Sequence, residues 1–232
     1  MIAFDVPILA YHRIGALEPD HVPTVTPKAF ERQMRFLARH QYQVVSFADV
    51  VASLRTGVVA RRCVAITFDD GYAGTFTHAA PILRQFGFSA TVFVAPAEVD
   101  RAGFMSWTQV QALSQDGFTI GSHTMRHIFL PSVSLEHARL EVVESKQVLE
   151  AKLQQPVRWF CYPVGGFTPH VQRLVQEAGY EAACTTNRGI SKWTRDIFAL
   201  RRIKVTERDR PLTLWAKLSG YYDLFRRLEP PG

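Results

Sequence analysis

Short runs of apolar residues alternate along the chain with longer segments in which apolar residues recur every three or four positions. The short runs are typical of buried strands and the longer segments of amphipathic helices. The predicted strands are residues 6–11, 44–45, 63–68, 88–95, 118–121, 158–161, 181–185 and 198–205. Because strands and helices alternate, the pattern predicts a mainly parallel sheet with helices packed outside it.

Helix-start and helix-stop residues mark the ends of most predicted helices. Ser46 with Asp49, and Ser106 with Gln109, have the spacing of a capping box. Pro follows Thr at positions 26–27 and 168–169, as at a first helical turn, and glycines close several of these segments. About seven strand–helix units predict an α/β barrel or distorted barrel, and the absence of a linker or composition shift predicts a single domain.

The composition is that of an ordinary globular protein and excludes disordered and collagen-like chains. Of the 232 residues, 47% are apolar and 21% are charged. The longest uninterrupted apolar run is shorter than the roughly 20 residues of a membrane span. The three cysteines are scattered singly, which argues against a disulfide framework. The first residues do not have the pattern of a signal peptide, so we expect a cytoplasmic protein.

The net charge of +6 is concentrated at the C-terminus, where residues 188–232 carry 11 basic and 5 acidic side chains. This tail is either a solvated basic face or a surface for anionic partners; no recognition motif supports nucleic acid among them. The last predicted helix, residues 212–228, has one apolar stripe, composed of Leu212, Trp215, Leu218, Tyr222, Phe225 and Leu228. The stripe either packs on the barrel or docks the protein on an anionic membrane.

Two clusters of candidate ligands follow predicted strands. Asp69 and Asp70 come directly after strand 63–68, where one carboxylate can bind a metal while its neighbour stays free as a base. His123 and His127 follow strand 118–121, and imidazoles four residues apart can reach one ion. The alternatives are an exposed Asp-Asp-Gly turn and two unrelated surface histidines. Together the clusters predict a catalytic metal site.

Two further strand ends carry candidate groups. The loop around Pro163, Gly165 and Gly166 could turn backbone N–H groups towards a developing oxyanion, or it is a structural turn. His12 ends the first strand and is either a general acid or a structural histidine. Four aromatic residues are candidate sugar platforms, with core packing as the alternative: Tyr72, Trp107, Tyr162 and Trp193.

These motifs resemble the polysaccharide deacetylases of the NodB-homology type, carbohydrate esterase family 4. Thr-Phe-Asp-Asp-Gly at 67–71 is similar to the first motif of that family, and Ser-His-Thr-Met-Arg-His at 122–127 to the second. The loop at 161–165 lies where the third belongs. Leu-Ala-Tyr-His-Arg-Ile at 9–14 resembles the circularly permuted subgroup that includes bacterial poly-N-acetylglucosamine deacetylases.

The resemblance implies a distorted (β/α)7 barrel over residues 1–211, followed by the basic amphipathic helix at 212–232. It also implies that Asp70, His123 and His127 hold a divalent ion, zinc first and cobalt or nickel as alternatives. Asp69 would then be the general base for the attacking water.

The same resemblance gives roles to His12, as the acid for the leaving amine, and to Val164, whose backbone N–H would hold the oxyanion. The acid role needs a raised pKa for His12 so that it stays protonated, and the carboxylates of Asp69 and Asp70 could raise it if they lie close. Many members open the third motif with an Arg that pairs with the catalytic Asp. Here that position is Cys161, so the resemblance leaves the partner of Asp69 unassigned.

The implied activity is removal of N-acetyl groups from an N-acetylated glycan or glycan precursor. Two alternatives stay open at this point. The first is a metal-dependent amidase or esterase for a small or lipid-linked substrate, with the C-terminal helix in peripheral membrane contact. The second is a catalytically silent glycan-binding protein.

Overall fold

The structure is a computed structural model that describes residues 6–58, 62–188 and 196–219. Seven parallel strands form a closed ring in the order β1, β10, β9, β8, β7, β6, β5, and β1 pairs with β5 to complete it. The strands are β1 Ile8–Tyr11, β2 Arg13–Ile14, β3 Thr24–Val25, β4 Gln43–Val44, β5 Cys63–Phe68, β6 Thr91–Val94, β7 Thr119–Ser122, β8 Trp159–Cys161, β9 Ala182–Arg188 and β10 Leu200–Lys204. This ring confirms the predicted distorted (β/α)7 barrel.

Three short strands lie outside the ring. β4 pairs with the first residues of β5, while β2 and β3 pair with each other just beyond the end of β1. The apolar pattern did not predict β2 and β3. Each is two residues long, which is too short for a period of two to show.

Seven α-helices are described: α1 Pro27–Arg39, α2 Phe47–Thr56, α3 Ala80–Gln85, α4 Trp107–Gln115, α5 Leu135–Leu153, α6 Pro169–Glu177 and α7 Pro211–Leu218. Both predicted capping boxes form, at Ser46 with Asp49 and at Ser106 with Gln109. A wide helical turn over Thr75–Ala79, which the sequence did not predict, leads into α3. The helices therefore start where the sequence places N-cap residues.

Side chains of the ring strands alternate between two apolar layers. Ile8, Phe93 and Leu200 belong to a cluster inside the ring, which α2 closes from below. Leu9 and Val92 face outward into the larger cluster beneath the helices. The alternation decides which residues can reach the inside of the barrel, because successive side chains on a strand point to opposite faces.

The described part of the C-terminal helix buries one residue of the predicted apolar stripe, Leu218, and leaves two of them largely exposed. In α7 the buried side chains are Leu214, Lys217 and Leu218, whereas Leu212 is 77% exposed and Trp215 is 47% exposed. Lys217 lies on the buried side of the helix, where its ammonium group donates to the buried carboxylate of Asp209 at 2.7 Å. Residues 220–232, with the rest of the stripe, lie outside the described residues. No described helix is long and apolar enough to span a membrane.

Candidate metal centre and active site

The predicted motifs meet at one edge of the barrel. Asp69 and Asp70 follow the end of β5, His123 follows β7, and His12 follows β1. The loop at 162–166 follows β8 at the same edge. Since all these strands are parallel, their carboxyl ends lie together, which is where barrels of this kind place their sites. The structure thus brings the four clusters together.

Three side chains form a candidate metal centre. The Nε2 atoms of His127 and His123 lie 3.1 and 3.3 Å from Oδ1 of Asp70. The three ligand atoms are all within 4.8 Å of one another. Oδ1 of Asp70 is buried, yet no donor among the described residues is oriented to hydrogen-bond to it. One carboxylate oxygen and two imidazole nitrogens suit a divalent transition metal, so these residues fit the implied ion.

Hydrogen bonding prepares His123 for this role. Its Nδ1–H donates to the carbonyl oxygen of Cys161 at 2.7 Å, so Nε2 is the nitrogen that faces Asp70 and can bind an ion in place of a proton. Burial alone raises the pKa of Asp70, but the adjacent imidazoles of His123 and His127 outweigh it and hold the pKa far below its ordinary value. The carboxylate is therefore ionised, as a metal ligand must be.

The loops that carry these groups have unusual backbone conformations. Asp70, Thr124, His127 and Val164 all lie in the left-handed region, with φ of 72°, 63°, 54° and 57°. Such conformations cost of order 1–3 kcal/mol in residues other than glycine and cluster at functional sites. Val164 stands out because its side chain is β-branched. Backbone strain thus coincides with the predicted ligand and oxyanion positions.

Asp69 has surroundings unlike those of Asp70. It is 1% exposed, and both its oxygens accept hydrogen bonds from the guanidinium of Arg202, at 2.7 and 2.6 Å. Burial raises the pKa of Asp69, but attraction and hydrogen bonding by Arg202 reverse that and lower it below the ordinary value. Asp69 is therefore ionised, and the positive charge beside it is the guanidinium of Arg202.

Arg202 is the functional residue that the sequence reasoning missed. It is fully buried on β10 and also donates to the Thr67 hydroxyl and to Sγ of Cys161, both at 3.1 Å. Arg202 is thus the cationic partner of Asp69, a role that Cys161 cannot fill at the position where many family members have an Arg. Leu200, two residues earlier, also faces the barrel interior, so Arg202 follows the period of two along β10.

A second group of potential ligands, Asp69, His123 and Cys161, lies beside the first. It suits an ion less well, since both oxygens of Asp69 are occupied by Arg202. Burial also raises the pKa of the Cys161 thiol well above its ordinary value, and a thiol is a poor ligand compared with a thiolate. The ion is therefore assigned to the Asp70 group.

His12 lies where an acid would be needed, but its electrostatics differ from our expectation. Its Nε2 atom is 3.8 Å from Oδ2 of Asp69, and its Nδ1 atom is buried without a hydrogen-bond partner in the described structure. Burial lowers the pKa of His12, and attraction by Asp69 and Asp70 does not make up for it. The prediction of a raised pKa was wrong, because desolvation of the ring outweighs the carboxylates.

The loop after β8 presents its backbone at the mouth of the barrel. Thr186 and Thr185 donate to the carbonyl oxygens of Val164 and Gly165, at 2.7 and 2.6 Å. The side chain of Val164 is 69% exposed and touches little, so its backbone carries whatever role it has. A side chain at Gly165 would collide with Thr186, which explains the glycine.

The candidate sugar platforms separate in the structure. Tyr72 is half-buried next to the site, stacked on Phe104 and close to Arg13. Burial and nearby Asp70 raise the pKa of Tyr72 to about 12. Trp107 packs on the outer core, with Lys152 of α5 over its ring. Tyr72 is thus the one of these two that borders the site.

The prediction that Tyr162 is a sugar platform is wrong. It is fully buried and faces outward beneath the helices, stacked on Phe167, because Cys161 before it points inward. Trp193 lies outside the described residues. The sequence reasoning instead missed Phe129, which is 41% exposed, two residues after His127. Its ring occupies the space where a side chain of Gly166 would stand, so it borders both the ligand loop and the Val164 loop.

A sequence profile and sequence relatives match this chain. The profile described as Polysaccharide deacetylase matches residues 56–183, more than half of the 232 residues. YxkH of Bacillus subtilis, whose name assigns it to the polysaccharide deacetylases, is 29% identical over 87% of this chain and 71% of its own length. The poly-beta-1,6-N-acetyl-D-glucosamine N-deacetylase of Escherichia coli is 24% identical over 72% of this chain, but this match spans only 32% of that protein.

A solved structure has the same fold. The deacetylase PplD of Streptococcus pyogenes, determined in complex with acetate, superposes with a TM-score of 0.87 at 26% identity. The superposition covers 92% of this chain and 97% of that one. The barrel is therefore shared almost from end to end, including the edge that carries the site.

Proposed function

The chain belongs to the polysaccharide deacetylase family, and from that premise we propose that it is a metal-dependent hydrolase that removes N-acetyl groups from a glycan containing N-acetylglucosamine. The observation that carries the proposal is the pair of adjacent carboxylates with different partners. Asp70 faces two free imidazole nitrogens, and Asp69 faces a guanidinium. Metal-dependent hydrolysis of an amide can use both kinds of carboxylate, one to hold the ion and one to accept a proton from the attacking water.

A divalent ion held by Asp70, His123 and His127 would polarise the acyl carbonyl and lower the pKa of water. We propose zinc, since two imidazoles and one carboxylate are a common zinc set in hydrolases. Cobalt and nickel suit the same donors. The proposal explains why the buried Oδ1 of Asp70 has no oriented donor in the described residues.

Asp69 takes the proton of the attacking water in this proposal. Its carboxylate is ionised and fixed in place by Arg202, so it needs no reorganisation when the water approaches. The N–H of Val164 would donate to the carbonyl oxygen of the acetyl group, which becomes an oxyanion when water adds to the acyl carbon. The left-handed backbone at Val164 turns that peptide differently from a regular strand end.

His12 delivers a proton to the leaving amine. Its ring is neutral before reaction, because burial lowers its pKa. Its Nε2 lies 3.8 Å from the carboxyl group of Asp69. A proton that Asp69 has taken from the water can therefore pass through His12 to the amine. An amine leaves far more readily as the protonated species.

Acetate release tests the proposal. Protein freed of metal by chelation is incubated with N-acetylglucosamine oligomers, with and without one equivalent of zinc, cobalt or nickel. We expect release that depends on added ion and that His123→Ala abolishes. Release by the metal-free protein, or no release from any acetylated glycan tested with the ion bound, would contradict the proposal.

Lipid-linked glycans are included among the proposed substrates. The support is the exposure of Leu212 and Trp215 on α7, close in sequence to Arg208 and Arg210. Apolar side chains flanked by cations suit an anionic membrane surface. Co-sedimentation with anionic vesicles at low salt, and its loss in Leu212→Ser/Trp215→Ser, is the expected result; equal recovery with neutral vesicles would argue against it.

A further inference from the structure

The peptide between the two histidines of the metal centre is held by a buried acid on a different element. Glu141 lies in the second turn of α5 and is fully buried. Its Oε2 accepts the backbone N–H of Arg126 at 2.8 Å, and its Oε1 accepts the Arg126 guanidinium, also at 2.8 Å. Its own carbonyl accepts the N–H of Met125 at 3.1 Å. α5 therefore holds Met125 and Arg126, two consecutive residues between His123 and His127, by hydrogen bonds.

This loop requires such support. Thr124 and His127, on either side of the gripped residues, are both left-handed. Strained conformations persist only where surrounding contacts determine them. On the opposite side, the carbonyl oxygen of Met125 accepts the N–H of Ala97 at 3.0 Å. The loop is thus fixed between α5 and the segment after β6, and Glu141 supplies most of the contacts from α5.

We propose that Glu141 is a positioning residue for the metal centre, which holds His123 and His127 at the spacing that one ion requires. The proposal rests on the proposed function only for the presence of the ion. Glu141 touches neither histidine ring in the described contacts, so it acts through the backbone between them. A loop whose shape is already fixed binds an ion more tightly than a mobile loop, because no ordering of the loop is needed on binding.

The chemistry of Glu141 makes a sharp variant available. A carboxylate accepts with both oxygens, and here each accepts from a different donor of Arg126. A glutamine has one acceptor oxygen and an NH₂ group. Glu141→Gln therefore leaves one Arg126 donor facing another donor, with little change in shape. The neighbouring Glu144 is the matched control, because it lies 3.8 Å from the same guanidinium but is 42% exposed.

The experiment measures zinc binding to the metal-free protein by competition with a chromophoric chelator, together with thermal unfolding of the same metal-free samples. We expect Glu141→Gln to weaken zinc binding by about 10–100-fold, the range seen when support for a ligand is lost. Glu144→Gln should change it less than about twofold, since exposed pairs contribute little. Arg126→Ala should be intermediate, because the backbone contact to Glu141 remains.

Two results would overturn the proposal: zinc binding by a folded Glu141→Gln as tight as that of the unaltered protein, or an equal loss in Glu144→Gln. If Glu141→Gln does not fold, Glu141→Asp replaces it. This variant keeps the negative charge but moves the carboxylate away from Arg126, and the same zinc-binding criterion applies to it. The readout is separate from acetate release. An unaltered protein that binds zinc but deacetylates nothing would contradict the proposed function and leave this test intact.

Discussion

Asp69 and Asp70 are adjacent in sequence, yet they belong to two different chemical environments. Asp69 points into the barrel, where Arg202, Thr67 and Cys161 surround it and both its oxygens are hydrogen-bonded. Asp70 has a left-handed backbone that turns its carboxylate towards His123 and His127 instead. One carboxylate is neutralised by the protein, and the other faces groups that carry no permanent charge.

The difference shows how a single strand end provides two functions. A buried carboxylate that is paired with a cation gains nothing from an ion, because its charge is already balanced. A carboxylate beside two imidazole nitrogens can bind one together with them. The conformation of Asp70, followed by Gly71 with φ of 85°, separates the two side chains. The two roles therefore follow from the neighbours of each residue and from one backbone turn.

The largest expected effect comes from neutralising each carboxylate separately. Asp70→Asn should weaken metal binding by more than the ~10–100-fold that follows loss of an outer hydrogen bond to a ligand. Asp69→Asn should keep the ion and lose about 10²–10⁴ in turnover, as expected for a missing general base. Metal content and acetate release, measured on both variants, check this. Loss of metal in Asp69→Asn with retention in Asp70→Asn would reverse the two assignments.

Removing the cation of the Asp69 environment should destabilise the fold. Arg202→Met leaves a buried carboxylate unpaired, which costs about 3–5 kcal/mol in the free energy of unfolding. Urea unfolding at pH 7 measures the loss. The control is Arg158→Met, which breaks an exposed pair with Glu181 and should cost less than about 1 kcal/mol. Similar losses in both variants would show that the burial of Arg202 is not what makes its pair strong.

The same variant has a predictable pH dependence. In the unaltered protein Arg202 lowers the pKa of Asp69, so the pair adds stability above the ordinary carboxyl pKa and loses it as the pH falls through the lowered value. Without Arg202, burial raises the pKa of Asp69, and protonation then relieves the unpaired charge. The destabilisation by Arg202→Met should therefore shrink from pH 7 to pH 4; a constant difference would contradict this account.

His12 offers a smaller and more selective effect. His12→Ala should lower the rate with an N-acetyl amide at least about 100-fold and affect an activated phenyl ester much less, because a phenolate leaves without a proton. Comparing the two substrates on the same enzyme preparation tests the acid role. Equal losses would mean that His12 only positions the substrate or supports Asp69.

The smallest effect concerns substrate recognition at the rim. Phe129→Ala should raise KM for N-acetylglucosamine oligomers by about two- to tenfold, since an aromatic contact contributes ~0.5–1.5 kcal/mol. The turnover number should change little. Leu140→Ala, at another exposed apolar residue on α5, is the control. A fall in turnover with unchanged KM would place Phe129 in the chemistry instead of in binding.

The sequence predicted the metal group because its members form two local motifs at strand ends. Asp70, His123 and His127 needed only the rule that parallel strands end at one edge. Arg202 escaped because it lies 133 residues from Asp69, and the neighbouring Arg201 is equally prominent in the sequence. Choosing between the two arginines requires the register of β10, which a five-residue strand with a bulge does not reveal.

The errors have local causes. Tyr162 was assigned to the rim because it follows a strand, although Cys161 before it already takes the inward position. For the stripe on α7 the apolar spacing left packing and docking open; it did not predict that Lys217 would be buried beside Leu218 and paired with Asp209. The raised pKa expected for His12 failed because desolvation depends on burial, which the sequence does not give.

The closure of the ring also has a kinetic consequence. β1 lies between β5 and β10, so the first and last strands of the barrel meet only after β10 has been synthesised. Contacts of such high sequence separation form slowly. His12 directly follows β1 and Arg202 lies on β10. The candidate metal ligands follow β5 and β7, which come between these two strands in the sequence. A nascent chain thus contains the candidate metal ligands well before Arg202 can support Asp69, and we expect hydrolytic activity only after β1 and β10 have paired.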